Sequence, residues 1–333
     1  GSHAPPDQPK RHVKAMPAPE ILPDTPKGHA RAAALLAEGR LVALPSETVY
    51  GLAADATAPE AVAAIYAAKG RPSQNPLIVH VPDIATARTL AAFPGKAGAL
   101  AAAFWPGPLT LVLPLNPGHG LAPAVTAGLP SVAIRVPAHP AMQAVLHRLK
   151  RPVAAPSANP SGRISATTPA HARDGLGPRL AAILDAGPCR VGVESTILAP
   201  EKTATRLLRE GGLPREVIEP ITGPLITDTT PGAKLEAPGQ LASHYAPRAP
   251  LFLGGTAQPG EITIGFGPIP GDLTLSPGGD LEEAATYLFS ILHKADALAA
   301  ERNAPAIRVA PIPEAGLGRA INDRLRRAAA PRD

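Results

Sequence analysis

The segment Lys69-Gly70-Arg71-Pro72-Ser73-Gln74-Asn75-Pro76 sets two cations and two amide side chains on a loop stiffened by prolines. Arginine can hold a phosphate through two parallel N–H bonds, and lysine adds a point charge. Cations also collect at helix C-termini because the macrodipole favours them there, so the segment has a structural reading as well as an anion-binding one. A second loop, Ala155-Pro156-Ser157-Ala158-Asn159-Pro160-Ser161-Gly162-Arg163-Ile164-Ser165, places three hydroxyls, an amide and an arginine after an apolar run. Loops at the carboxyl ends of strands bind ligands in α/β folds, although Ser/Asn turns also form only to bond their own backbone. Arg135 interrupts Val132-Ala133-Ile134-Arg135-Val136, where a bare charge would be costly, so it requires an anion or water. A structural carboxylate and a substrate carboxylate would each serve. His80, inside Leu77-Ile78-Val79-His80-Val81, is either a satisfied core histidine or a ligand contact. Arg209, which follows two leucines and precedes Gly211-Gly212, is either an edge charge or a site cation.

No G-x-x-x-x-G-K-[ST] or G-x-G-x-x-G occurs, so a phosphate site needs a device other than the glycine loops. The single cysteine, Cys189, excludes an internal disulfide framework and multi-cysteine zinc sites, and any metal is expected to arrive with phosphate. A net charge of +5 suits an anionic partner without saying which. With 45% hydrophobic and 18% charged residues, the chain can bury real cores. Its 333 residues suggest two of them. The uncharged stretch between Lys96 and Arg135 carries six prolines, from Pro106 to Pro130, and so reads as buried sheet and loop rather than a membrane helix. Gly1-Ser2-His3 reads as a tag scar, nothing at the N-terminus directs secretion, and the expected compartment is the cytoplasm.

These side chains must be held by an alternation of helices and strands. An amphipathic helix is expected over 28–39, closed by Gly39, and then a strand at Leu41–Leu44. Thr57 and Glu60 suggest a capping box, with Pro59 in the first turn of a helix that ends at Lys69 and Gly70. Strands are expected at 77–81, 109–113, 131–136, 152–155, 181–184, 195–199 and 204–208, with helices near 84–92, 96–104, 138–149 and 169–176. The mixture of alternating and consecutive strands argues for an α/β domain with a mixed, twisted sheet. Residues 219–248, rich in Pro, Gly and Thr, read as a linker. Strands near 250–253, 261–265, 272–275 and 306–309, a long helix over 280–301 and a basic helix over 314–328 suggest a smaller α/β domain. The one internal echo is that Leu41–Ser46 and Val153–Ser157 both run an apolar strand into Pro-Ser.

Taken together, Pro45-Ser46-Glu47-Thr48-Val49-Tyr50-Gly51-Leu52, Lys69-Gly70-Arg71-Pro72, Asn75-Pro76-Leu77, Pro156-Ser157-Ala158-Asn159 with Ser161-Gly162, and Glu194-Ser195-Thr196 resemble the threonylcarbamoyl-AMP synthase (YrdC-type) family in order and spacing. Ser46 stands where the family usually has Thr, with the hydroxyl kept. The resemblance covers about 28–218, and His244-Tyr245-Ala246-Pro247 and beyond resemble the linker and accessory domain of its longer members. It implies a YrdC-like domain over 27–218, after a 1–26 extension. A linker arm over 219–248 and a smaller, Rossmann-like α/β domain over 249–333 would follow.

The implied reaction joins L-threonine, bicarbonate or CO2 and ATP into threonylcarbamoyl-adenylate and pyrophosphate, with Mg2+ carried by the nucleotide. The product would pass to a downstream transferase complex for tRNA modification, with weak tRNA binding left open and no membrane partner. Carried over by motif, Lys69 and Arg71 would be catalytic. Together with Asn75, Ser131, Ala155, Ser157, Asn159, Ser165, Arg209 and Tyr245 they would line the ATP site, and Thr48, His80, Arg135 and Ser195 would hold threonine. The alternatives are a basic RNA-binding module without synthase activity, which the 3% aromatic content disfavours, and a carbamoyl-adenylate enzyme that starts from carbamoyl phosphate.

Overall fold

The computed structural model describes residues 16–227 and 235–332. The expected tag scar at Gly1-Ser2-His3 and part of the expected arm, 228–234, lie outside them. In chain order the strands of the first domain are β1 (Glu20–Pro23), β2 (Val42–Leu44), β3 (Gly51–Asp55), β4 (Ile78–His80), β5 (Leu109–Pro114), β6 (Ser131–Arg135), β7 (Val153–Ala154), β8 (Ala182–Asp185), β9 (Thr196–Pro200) and β10 (Thr205–Arg209). They form one ten-stranded sheet in the order β1-β8-β2-β3-β7-β4-β6-β5-β9-β10. Parallel pairs such as β4 with β6 mix with antiparallel ones such as β5 with β6, as the sequence suggested. The helices of this domain are α1 (Pro26–Ala37), α2 (Pro59–Lys69), α3 (Ile84–Leu90), α4 (Ala97–Phe104), α5 (Pro140–Leu149), α6 (Pro169–Leu176) and α7 (Arg215–Thr222).

The sheet is covered on both sides. Along β3, Leu52 and Ala54 enter one core while Ala53 enters the other, as the period-2 pleat requires. β3 and β1 are absent from the sequence reading. β3 is buried at every position and shows no alternation, and β1 is a four-residue strand ending in proline. The capping box also fails: Ala58 is the N-cap of α2 and makes no side-chain cap bond. Thr57 turns instead to the Asp55 carboxylate, with its N–H at 2.9 Å and its hydroxyl at 2.6 Å, because an anion is the stronger acceptor. Gly70 closes α2 in the left-handed conformation, as expected.

The second domain holds β11 (Leu251–Leu253), β12 (Ile262–Gly265), β13 (Leu273–Thr274) and β14 (Ile307–Val309), with α8 (Leu281–Arg302) and α9 (Gly318–Ala329). Its four strands are parallel in the order β11-β14-β12-β13. The core under α8, built on Leu288, Phe289 and Leu292, continues without a break into Val49, Ile164 and Val193 of the first domain and Tyr245 of the linker. Residue 218, the expected end of the first domain, falls inside α7, whose Ile218 is buried in the first domain's core.

Candidate active site

β2 and β7 lie on either side of β3 and run antiparallel to it, so their following Pro-Ser loops emerge at the same edge of the sheet. The echo between Leu41–Ser46 and Val153–Ser157 therefore has a spatial meaning. Gly51 sits between the two loops, bridged to Ser157, and a Cβ there would lie 3.0 Å from that of Ala155. Around this edge a small cavity of about 50 Å³ is lined by Ser46, Thr48, Arg71, His80, Arg135, Ala155, Ser157, Glu194, Ser195, Arg209, His244 and Tyr245, among others.

The four residues the resemblance assigns to threonine, Thr48, His80, Arg135 and Ser195, all line it. Arg135 is buried, but it does not lack a partner. Its Nη2 pairs with the buried Glu47 carboxylate, its Nη1 donates to Thr48 Oγ1 at 2.8 Å, and its Nε donates to Gly107 O at 3.1 Å. Its strand thus has a structural reason for a charge, as well as a place on the cavity wall. The other oxygen of Glu47 accepts the Ala138 N–H at 2.8 Å. Ser46 Oγ lies 2.9 Å from Thr48 Oγ1 and caps the turn by donating to Val49 O at 2.6 Å, so the hydroxyl retained at this position keeps the loop's shape. Burial and then Arg135 push His80 down to about 3, and the imidazole is neutral near pH 7. Its Nδ1 lies 3.2 Å from Ile78 O. Ser195 Oγ is 2.7 Å from Thr110 Oγ1.

Three cations, Lys69, Arg71 and Arg209, gather at the same cavity. Lys69 is buried, and its Nζ crosses to the second loop, donating to Ser157 O at 2.5 Å and Asn159 O at 2.6 Å. Burial, and then Arg71, hold its pKa well below the ordinary lysine value. Arg71 donates to Asn75 O at 3.2 Å and Pro76 O at 2.6 Å, and burial lowers it to about 10. Neither cation is spent on the free carbonyls at the end of α2, which Gly70 caps. Arg209 donates to Ser195 O at 3.1 and 2.9 Å. A Cβ on Gly211 would come within 2.3 Å of the Ser195–Thr196 backbone, so only glycine lets the turn after Arg209 lie on that strand.

Lys69, Asn75, Asn159 and Ser165 are buried beside the cavity rather than on its wall, and the Oδ1 atoms of Asn75 and Asn159 are buried without a partner. Ser165 Oγ donates to Glu194 Oε2 at 2.8 Å. Ser131 does not join the cluster in this conformation. It begins β6, roughly 13 Å along the strand from Arg135 at its end, on the same face of the sheet. The linker enters this site directly. Pro238, His244 and Tyr245 line the cavity, the His244 and Tyr245 rings stack at 3.9 Å, and a Cβ on Gly239 would strike Arg209 Cδ at 2.5 Å. Tyr245 is buried with φ of 58°.

Sequence reasoning missed Glu47 and Glu194 as site carboxylates and Arg324 altogether. Arg324 had a visible signal, since Ala320, Ile321, Leu325 and Ala328 form the buried stripe of α9 and a charge stands among them.

A mixed YrdC-like sheet carrying such a cavity, joined to a small parallel α/β domain, defines a class, and comparisons with known proteins agree. The family model described as "Telomere recombination", of the Sua5, YciO and YrdC proteins, matches residues 34–211, and the model of the threonylcarbamoyl-AMP synthase C-terminal domain matches 213–330. The chain is 42% identical to the threonylcarbamoyl-AMP synthase of Bacillus subtilis over 90% of its own length and 92% of that protein's. It is 38% identical to the enzyme of Pyrococcus abyssi, over 89% and 92%. The crystal structure of P. abyssi Sua5 complexed with L-threonine superposes with a TM-score of 0.83 at 36% identity, covering 93% of this chain and 97% of that one. The chain belongs to the threonylcarbamoyl-AMP synthase family, in its two-domain form.

Proposed function

We propose that the protein is an L-threonylcarbamoyladenylate synthase, which converts L-threonine, bicarbonate or CO2 and ATP into threonylcarbamoyl-AMP and pyrophosphate. One observation carries the reading at the level of chemistry. Arg135, Thr48, His80 and Ser195, suited to a carboxylate and a hydroxyl, line the same cavity as the cations Arg71 and Arg209, with Lys69 buried beside it. Arg135 and Thr48 would hold the threonine carboxylate, and neutral His80 and Ser195 its hydroxyl. Lys69, Arg71, Asn75, Ala155, Ser157, Asn159, Arg209 and Tyr245 would surround the nucleotide, with Ser131 and Ser165 at its margins.

The chemistry asks little covalent help of the protein. Condensation of threonine's amine with bicarbonate, releasing water, yields a carbamate oxyanion. That oxyanion attacks the α-phosphorus in line, and the bond to the β-phosphate oxygen breaks. Catalysis is then positioning and charge neutralisation by Lys69 and Arg71. Glu194 on the cavity wall and Glu47 behind it are already committed, to Arg324 and Arg135, so Mg2+ would enter on the triphosphate rather than on protein ligands. The product would supply the threonylcarbamoyl group for a tRNA adenosine next to the anticodon, through a separate transferase in the cytoplasm. No helix among the described residues is long and apolar enough to cross a membrane.

The test is pyrophosphate release from MgATP. Full turnover should require both threonine and bicarbonate. Equal release without threonine, or none under any condition, removes the reading.

A further inference from the structure

The second domain sends one side chain to the edge of this site. Arg324, on α9, is fully buried. Its Nε donates to Glu194 Oε1 at 3.0 Å, its Nη1 donates to Glu210 O at 2.6 Å and to Asp323 Oδ2 at 2.9 Å, and its guanidinium lies 5.4 Å from the centre of the Tyr245 ring. Asp323 also accepts from Arg327 at 3.0 Å, so Glu194 is the carboxylate left without another cation bonded to it. Glu194 lines the cavity beside Ser195, and its second oxygen is held by Ser165. A buried carboxylate in this place competes with a triphosphate for the same cations. Burial would raise the Glu194 carboxyl, but Arg324 and then Arg209 outweigh it and keep the group ionised. The same carboxylate acts on both Lys69 and Arg209.

We propose that Arg324 is a positioning residue of the synthase site, supplied by the second domain: it balances Glu194, so that Lys69 and Arg209 remain available to the triphosphate. This rests on the synthase reading above and gives the second domain a role in ATP binding. Arg324 does not itself line the cavity, although Glu194 and Tyr245, which it contacts, do. It acts through Glu194, and it also lies against the Tyr245 ring of the arm.

The roles separate by charge. In the full chain, Arg324→Met should weaken MgATP binding about tenfold, the effect of one uncompensated buried charge several ångströms from the phosphates at an intermediate effective dielectric. Arg324→Lys should stay within about threefold of the parent, because a cation still faces Glu194. The double variant Arg324→Met/Glu194→Gln, which removes both charges, should recover most of the loss, and threonine binding should change less than MgATP binding throughout. Calorimetry with MgATP, on variants whose folding is checked by circular dichroism, measures each arm. Parental MgATP affinity in Arg324→Met, or a double variant as weak as the single one, overturns the proposal and leaves Arg324 a purely structural contact. If Arg324→Met does not fold, Arg324→Lys and the double variant decide. A tenfold loss with the lysine, or no recovery in the double, counts against it, and affinity within threefold in both supports it. A parent protein that binds MgATP but shows no threonine- and bicarbonate-dependent pyrophosphate release would sink the synthase reading instead, an outcome visible before any variant is made.

Discussion

Lys69 and Arg71 carry the most direct prediction at the level of single residues. Each makes two bonds to backbone carbonyls and remains beside the cavity, so Lys69→Ala or Arg71→Ala should lower the rate of pyrophosphate release about 100- to 1,000-fold, the usual loss when one oxyanion-type donor is removed. Threonine affinity should stay within about threefold. Initial rates across threonine concentration distinguish the two effects. Arg135 behaves differently because its charge is already matched. Arg135→Met strands the Glu47 carboxylate in the interior, and urea unfolding should show a loss of about 3–5 kcal/mol. Adding Glu47→Gln should restore much of that stability without restoring threonine binding, if Arg135 also holds the substrate. Recovery of both by the double variant would assign Arg135 to the fold alone. The sequence showed that Arg135 needs an anion. It did not show that Glu47, 88 residues earlier, supplies one, because that meeting depends on β6 and the loop after β2 converging in space.

At the level of elements, the linker and the face between α6 and α8 decide behaviour. The cavity beneath the arm is about 50 Å³, far below the roughly 300–1,000 Å³ of ordinary ligand pockets. Binding of the proposed nucleotide here would require Pro238, His244 and Tyr245 to move. Tyr245→Ala should release more free threonylcarbamoyl-AMP into solvent than the parent at equal pyrophosphate output, as measured by chromatography of quenched reactions. Identical partitioning would reduce the arm to a tether. Across the neighbouring face, His171 of α6 stacks on His293 of α8 at 3.9 Å. Burial, then His293 and Lys294, push His171 down to about 3, and burial lowers His293 as well. Unfolded histidines titrate near 6.5, so below that pH the unfolded chain takes up protons that the folded one refuses. The contribution of this pair is complete above about pH 6.5 and declines as the pH falls toward 3. Urea midpoints should drop between pH 7.5 and 5.5, and His171→Phe should flatten the decline; an unchanged pH dependence in the variant would show that other groups control it.

For the whole molecule, the two domains share one apolar contact, built from Val49, Ile164, Val193, Tyr245 and the buried side of α8, and Arg324 crosses it. Truncation after Pro220 should leave a folded first domain with little synthase activity. Because α7 continues to Thr222, the fragment should also be less stable than one cut after Gly223, while both lose the arginine that faces Glu194. Thermal unfolding of the two fragments and their pyrophosphate release check this. Most helices and strands were legible because their apolar residues repeat at 3.6 or 2, and because Gly39 and Gly70 mark where helices stop. Their positive φ values follow from the absence of a Cβ, a property local to the residue. The ordered motifs likewise named most of the residues that line or flank the cavity, among them Thr48, Arg71, His80, Arg135, Ser157, Ser195 and Arg209. Sequence could not announce β3, whose burial on both faces erases the alternation that reveals a strand. Nor could it set the ten-strand order, which depends on non-local pairing. That Arg135 faces Glu47, that Glu194 faces Arg324, and that Tyr245 lines the cavity were decided only by the tertiary structure, because a side chain's partner is fixed by distance in space and the chain carries no local record of that distance.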